Sequence, residues 1–167
     1  MGHTNNHTTR STRLDKGGVA PDFSLPDRDG RLYALSAITT PYAIVYFYPK
    51  DNTPGCTIEA QEFQRTLPAL TQLGASIIGI GGGDEKSKAS FCEKHGLTFP
   101  LLSDPGFSVC RRWGVYGPKQ FMGRTFDGIH RTTFLLDKDK RLLKRYDDVK
   151  AQGHAQDVLS YLGEVSA

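Results

Sequence analysis

Cysteine is scarce in this chain of 167 residues: Cys56, Cys92 and Cys110 form an odd set of three, and no two of them stand as C-x-x-C. A domain of this length has enough core not to depend on cross-links, so a structural disulfide framework is not expected. For each thiol the open readings are an inert buried side chain, a metal ligand, or thiol chemistry in a reducing compartment. An excess of one charge is also missing. The chain carries 21 Lys and Arg against 18 Asp and Glu, a net charge of +3, and Arg10, Arg13 and Lys16 against Asp15 place two of those charges in the first sixteen residues. The remainder is nearly neutral, which leaves no broad basic face for nucleic acid or acidic lipid. No apolar run approaches the roughly 20 residues of a membrane span, and the N-terminus lacks the apolar segment of a secretory signal. The expectation is a soluble cytoplasmic protein.

Large apolar residues are nearly absent from Met1 to Lys16, a stretch of Thr, Asn, His and Arg that cannot offset its own ordering entropy. It reads as a loose arm ahead of one domain over residues 17–167. From Ala20 the pattern tightens. Asp22 to Leu25 and Leu32 to Leu35 flank an Asp29-Gly30 turn and predict a hairpin. Tyr42 to Tyr48 is apolar, β-branched and aromatic, as a strand buried on both faces should be, and Ala75 to Ile80 repeats the type. Between them Ile58, Phe63, Leu67, Leu70 and Leu73 recur at helical spacing from Cys56 to Leu73, with Pro68 expected to kink or break the helix.

Asp84 is a candidate N-cap for a helix that runs to His95 and stops at Gly96. Then follow a short strand at Phe99 to Leu102, a short helix from Phe107 to Trp113, a long loop from Pro118 to Ile129, strands at Arg131 to Leu136 and Arg141 to Tyr146, and a helix from about His154 to Leu162. Alternating strands and helices imply an α/β fold with right-handed crossovers and a mixed sheet covered by helices on both sides.

Cys56 follows the buried strand and the loop Pro49 to Gly55, and stands in the first turn of a helix. Unpaired N–H groups and the helix dipole favour an anion there, and the thiolate is the nucleophilic form of cysteine. Thr53 can place a hydroxyl beside the sulfur, and Pro49 stiffens the loop. On spacing alone a reactive thiol and a half-buried inert one stay equally open. Arg131, by itself, reads as a solvated charge at a strand end.

The run from Pro49 to Glu59 resembles the P-x-x-x-T-x-x-C signature of the peroxiredoxins, and TPGCTxE after FYPK resembles the bacterioferritin comigratory protein, or peroxiredoxin Q, subfamily. The resemblance extends through APDFSLPDRDG near the start, FPLLSD at Phe99 to Asp104 and HRTTFLLD at His130 to Asp137. It implies a thioredoxin-like fold, with which the closing hairpin and final helix agree. It also implies a thiol peroxidase that reduces hydrogen peroxide or organic hydroperoxides, needs no metal or organic cofactor, and is recycled by thioredoxin or a similar dithiol. By residue, Cys56 matches the peroxidatic cysteine, Pro49 and Thr53 the loop residues, and Arg131 the site arginine, which Glu59 is placed to orient.

Two departures stand out. Many members carry a resolving cysteine where this chain has Gln61, and Gly81-Gly82-Gly83 replace a more polar capping segment. Some members place the resolving thiol on the helix after the second buried strand, which assigns it here to Cys92, with local unwinding around both thiols. A monomer or weak dimer is expected. The rival readings are a redox-sensing or holdase-type binding protein using Cys56 as a switch, and a thiol-disulfide exchanger, against which the lack of C-x-x-C argues. Cys92 and His95 could chelate a metal, but no second ligand pair accompanies them. Asp137 and Asp139 read as a hairpin turn.

Overall fold

The structure, a computed structural model, describes residues 14–167. Its centre is a five-stranded mixed sheet. Strand β3 (Tyr42–Tyr48) pairs in parallel with β4 (Ala75–Gly81) and antiparallel with β8 (Thr132–Leu136). Beyond them lie β5 (Leu101–Ser103) and β9 (Leu142–Tyr146), in the order β5-β4-β3-β8-β9. Helix α1 (Pro54–Gln72) and helix α2 (Glu85–His95) form the successive crossovers from β3 to β4 and from β4 to β5. Two parallel crossovers that advance in the same direction across a sheet fall on the same face. The helix α3 (Ser108–Arg112) follows β5, and α4 (Ala151–Val165) closes the chain.

The strand β3 shows why the sheet is central: Ala43 to Tyr48 are all buried, and their side chains alternate between two cores. Ile44, Tyr46 and Tyr48 pack with Cys56, Ala60, Phe63 and Leu70 of α1, Phe91 and Cys92 of α2, and Val158 and Leu162 of α4. Val45 and Phe47 point the other way, onto Ile78, Phe134, Cys110 and Trp113. Leu14 belongs to this second core, and Gly17 donates its N–H to the Leu142 carbonyl at 2.8 Å. The end of the expected arm is therefore docked, while residues 1–13 of it lie outside the described residues.

Most expected elements are present. The first hairpin pairs β1 (Ser24–Pro26) with β2 (Leu32–Ala34). Asp84 caps α2 by accepting the Ser87 N–H at 2.8 Å, and Gly96 ends the helix in the left-handed conformation. Asp137 accepts the N–H groups of Asp139 and Arg141, as a hairpin turn requires. Two expectations fail. Pro68 does not divide α1, which runs unbroken through it; the residue is exposed, so the donor it lacks is missing on the solvent side. The stretch read as a loop from Pro118 to Ile129 is a hairpin of β6 (Tyr116–Phe121) and β7 (Arg124–Ile129). Its two-residue turn, Met122-Gly123, has φ of 52° and 77°, the mirror-image geometry that suits hairpins. The last helix keeps its expected start, because Gln152 and Gly153 are non-helical and regular helix begins at His154, and it runs past Leu162 to Val165.

Candidate active site

The central strand β3 delivers Tyr48 to its C-terminal end, Pro49 ends it at a half-buried position, and the chain turns through residues 50–53 into α1. Thr53 is the extended N-cap residue and Pro54 takes the first helical position, where a missing N–H matters least. The Thr53 hydroxyl does not cap the helix but donates to the Lys50 carbonyl at 2.8 Å. Its oxygen is left as an acceptor, and the first-turn N–H groups have no side-chain cap. Cys56, on that turn, is only 1% exposed.

Arg131 reaches the same place from the residue before β8. Its Nη2 donates to Cys56 Sγ at 3.5 Å, and its Nη1 donates to Glu59 Oε1 at 2.8 Å. Burial works against the guanidinium's charge, but Cys56 and then Glu59 outweigh it, and its pKa is raised. Glu59 pays the larger desolvation: its pKa is pushed up to about 7 by burial, against the pull of Arg131, and Oε2 has no hydrogen-bond partner. Gly55 leaves room for this arrangement, since a Cβ there would lie 3.1 Å from Arg131 Nη2. Arg131 thus meets Cys56 and Glu59 at the start of α1, where Thr53 is the N-cap residue, while Pro49 follows the end of β3.

Lys119, on β6, is a neighbour that sequence reasoning missed. Its Nζ donates to the Ile129 carbonyl at 2.8 Å, and burial followed by the charge of Arg131 lowers its pKa while Cys56 opposes them. The missing signal is periodicity: most of β6 and β7 is exposed on both faces, so no apolar alternation marks the hairpin.

The other two thiols divide between the cores. Cys92 is buried on the Cys56 side of the sheet, and burial raises its pKa against the nearby guanidinium of Arg28. Tyr46 lies close enough to both thiols for each to add to the rise that burial imposes on its own pKa. Cys110 is on the opposite face, where its N–H donates to Asp104 at 2.8 Å, and burial and then Asp104 push the thiol far up. Among the described residues no group of three or more His, Cys, Asp or Glu could hold a metal. His95, read with Cys92 as a possible chelating pair, instead has Nδ1 3.3 Å from Gln61 Nε2 and its ring edge-on to Phe91.

The glycine run after β4 also has a local cause. A Cβ on Gly81 would stand 2.7 Å from the Tyr48 ring, and Gly83 adopts φ of +83° beside Asp51 and Ser87. A polar capping segment there would need space that Tyr48 and Asp51 occupy.

The AhpC/TSA family model matches residues 17–145. Peroxiredoxin Bcp of Escherichia coli strain K12 is 42% identical over 151 residues, covering 90% of this chain and 97% of that protein. This chain belongs to the AhpC/TSA family. Within it the chain is a peroxiredoxin of the Bcp and peroxiredoxin Q kind. The peroxiredoxin Q of Xanthomonas campestris superposes with a TM-score of 0.83 at 36% identity, covering 92% of this chain and 98% of that one. A cysteine-to-serine variant of PrxQ from Xylella fastidiosa gives 0.87 at 34%, covering 93% and 99%. The fold of this peroxiredoxin is therefore thioredoxin-like, and its relatives make it a thiol peroxidase. No helix among the described residues is long and apolar enough to cross a membrane.

Proposed function

We propose that Cys56 is the peroxidatic thiol, that Cys92 resolves it, and that a dithiol donor of the thioredoxin type returns the electrons. The observation that carries the first assignment is the 3.5 Å contact of Arg131 Nη2 with Cys56 Sγ at a helix start without a side-chain cap. The thiolate attacks the terminal oxygen of the hydroperoxide, an S–O bond forms and the O–O bond breaks. The departing alkoxide or hydroxide takes up a proton. Charge moves from sulfur to the leaving oxygen, so fixed donors on both sides lower the barrier. Arg131 and the first-turn N–H groups are those donors, and the Thr53 oxygen accepts the peroxide O–H.

The Cys92 thiolate then attacks the Cys56 sulfenic sulfur; an S–S bond forms, the S–O bond breaks, and hydroxide leaves as water after protonation. Two observations support Cys92 over Cys110. Cys92 shares the Cys56 face of the sheet, with Tyr46 near both, whereas Cys110 lies across it. Cysteine-to-serine variants of the Xanthomonas campestris peroxiredoxin Q are among the solved structures, and the two substituted positions stand as far apart in that chain as Cys56 and Cys92 do here. A disulfide needs Cα atoms within about 7 Å. Two thiols on separate folded helices meet that limit when the first turn of α1 and part of α2 unwind.

The substrates in this reading are hydrogen peroxide and organic hydroperoxides; the Xanthomonas campestris bacterioferritin comigratory protein has an alkyl peroxide reduction activity. The protein works as a monomer or weak dimer. The test is stopped-flow peroxide consumption by the reduced protein, with mass spectrometry after one equivalent. Rapid consumption, renewed turnover with thioredoxin, and a Cys56–Cys92 cross-link are expected. Oxidation without turnover would leave a redox switch, and a Cys56–Cys110 link or purely intermolecular links would remove Cys92 from the mechanism.

A further inference from the structure

Lys88 is fully buried, on the first turns of α2 and one helical turn before Cys92. Its ammonium donates to Asp51 Oδ2 at 2.8 Å and to the Gly82 carbonyl, and stands 5.5 Å from the centre of the Tyr48 ring. The same carboxylate accepts the Tyr48 hydroxyl on Oδ1 at 2.6 Å and the Ser87 hydroxyl on Oδ2 at 2.5 Å. Asp51 is itself buried, in the loop between β3 and α1 that leads into the helical turn bearing Cys56. One carboxylate thus ties the loop that presents the first thiol to the helical turn that precedes the second.

The choice of charged groups matters here. Lysine and aspartate are almost never fully buried unless paired, and the attraction gained on pairing is largely offset by lost hydration. An apolar pair of equal volume would pack as well but would lose its stabilisation once wetted. An ion pair regains hydration when water enters, so it favours one geometry while dry and opposes opening only weakly. Segments that separate once in each catalytic cycle need that combination.

We propose that Asp51 and Lys88 are positioning residues for the resolving step. Their pair holds α2 against the Cys56 loop while peroxide is reduced, and its opening sets how quickly Cys92 reaches the Cys56 sulfenic acid. This rests on the assignment of Cys92 as the resolving thiol. The pair exchanges no atoms with the sulfurs; it governs the unwinding that lets them meet.

The experiment mixes reduced full-length protein rapidly with hydrogen peroxide and follows two rates, sulfenic acid formation and Cys56–Cys92 disulfide formation. The sulfinic acid produced under excess peroxide is measured alongside. Lys88→Met strands the Asp51 carboxylate without its cation, which favours the open form. The ratio of the disulfide rate to the sulfenic rate should rise by about tenfold or more, with less sulfinic acid. Asp51→Asn with Lys88→Met removes both charges and should return the ratio toward that of the unaltered protein. Ser87→Ala, which removes one neutral donor and keeps the helix, should raise it by a few fold at about the scale of a single hydrogen bond. If the unaltered protein forms the Cys56–Cys92 disulfide but the ratio is unchanged in Lys88→Met and Ser87→Ala, or if only Tm falls, the positioning role is overturned. If the unaltered protein forms no such disulfide, the Cys92 assignment falls, and this proposal with it.

Discussion

Beneath Ile44, Tyr46 and Tyr48 the sheet packs on a core that encloses Cys56, Glu59, Lys88, Cys92 and His154; beneath Val45 and Phe47 it packs on Trp113, Phe134 and Cys110. Both cores are rich in aromatics, yet most of the buried charge and its partners gather on the first, Asp104 being the exception. In a low-dielectric interior, fixed charges act strongly on a neighbouring sulfur, whether they stabilise its anion or suppress it. The same residue type is thus set to opposite uses: Cys56 faces a guanidinium, whereas Cys110 faces the Asp104 carboxylate.

The sharpest way to break this contrast is to remove each sulfur in turn. Cys56→Ser should abolish peroxidase turnover in coupled assays, while Cys110→Ser leaves it largely intact; equal losses in two folded variants would mean the faces are not functionally distinct. Next in size is the apolar core of the quieter face. Trp113 is fully buried against Phe23, Phe47 and Phe134, so Trp113→Ala should lower unfolding free energy by about 3–5 kcal/mol in denaturant titration. Arg131→Ala removes the guanidinium from the charged face and should slow the reaction with peroxide by roughly 10²–10³-fold at unchanged fold, as single-turnover kinetics would show.

The smallest effect concerns pH. Glu59 holds its proton up to about pH 7 in the folded chain, against an ordinary value of 4.5, so the folded state carries more protons between those values and its stability falls as pH rises through them. His154 does the reverse. Burial, with Arg131 assisting and Asp157 opposing, lowers it from 6.5 to about 4, so the unfolded state carries more protons in that window and stability rises with pH. Each slope is about 1.4 kcal/mol per pH unit when one proton differs, and the two nearly cancel between pH 4.5 and 6.5. Glu59→Gln should therefore expose a stability that climbs with pH over that range; urea midpoints that stay flat would show that Glu59 titrates elsewhere.

The charged face was also the harder one to read from sequence. Strand β3, strand β4 and the Asp84 cap declare themselves through apolar runs and turn chemistry, and the loop before Cys56 through a long motif. The Asp51–Lys88 pair left no such trace. Lys88 lies in a segment with Lys86 and Ser87 that reads as a solvated helical face, and its burial follows from a carboxylate that is distant in sequence. Lys119 escaped for a different reason, since its hairpin is held by main-chain pairing and a Met122-Gly123 turn instead of an apolar face. Charge pairs across long intervals of chain leave no periodic signal, whereas packing leaves one at every second or fourth residue.

The margins of the sheet bear on what happens when a crossover helix loosens. An open strand edge offers unpaired amide and carbonyl groups to any other chain, and long flat edges seed fibres. Here β5 contributes three residues, and β9 meets β8 with a register shift at Leu135 and Leu136 while bearing Lys144 and Arg145. Neither margin presents a long, uncharged ladder. If α2 opens beside the sheet in the resolving step proposed above, it exposes little that a second molecule could extend, so repeated opening would not carry a matching hazard of aggregation.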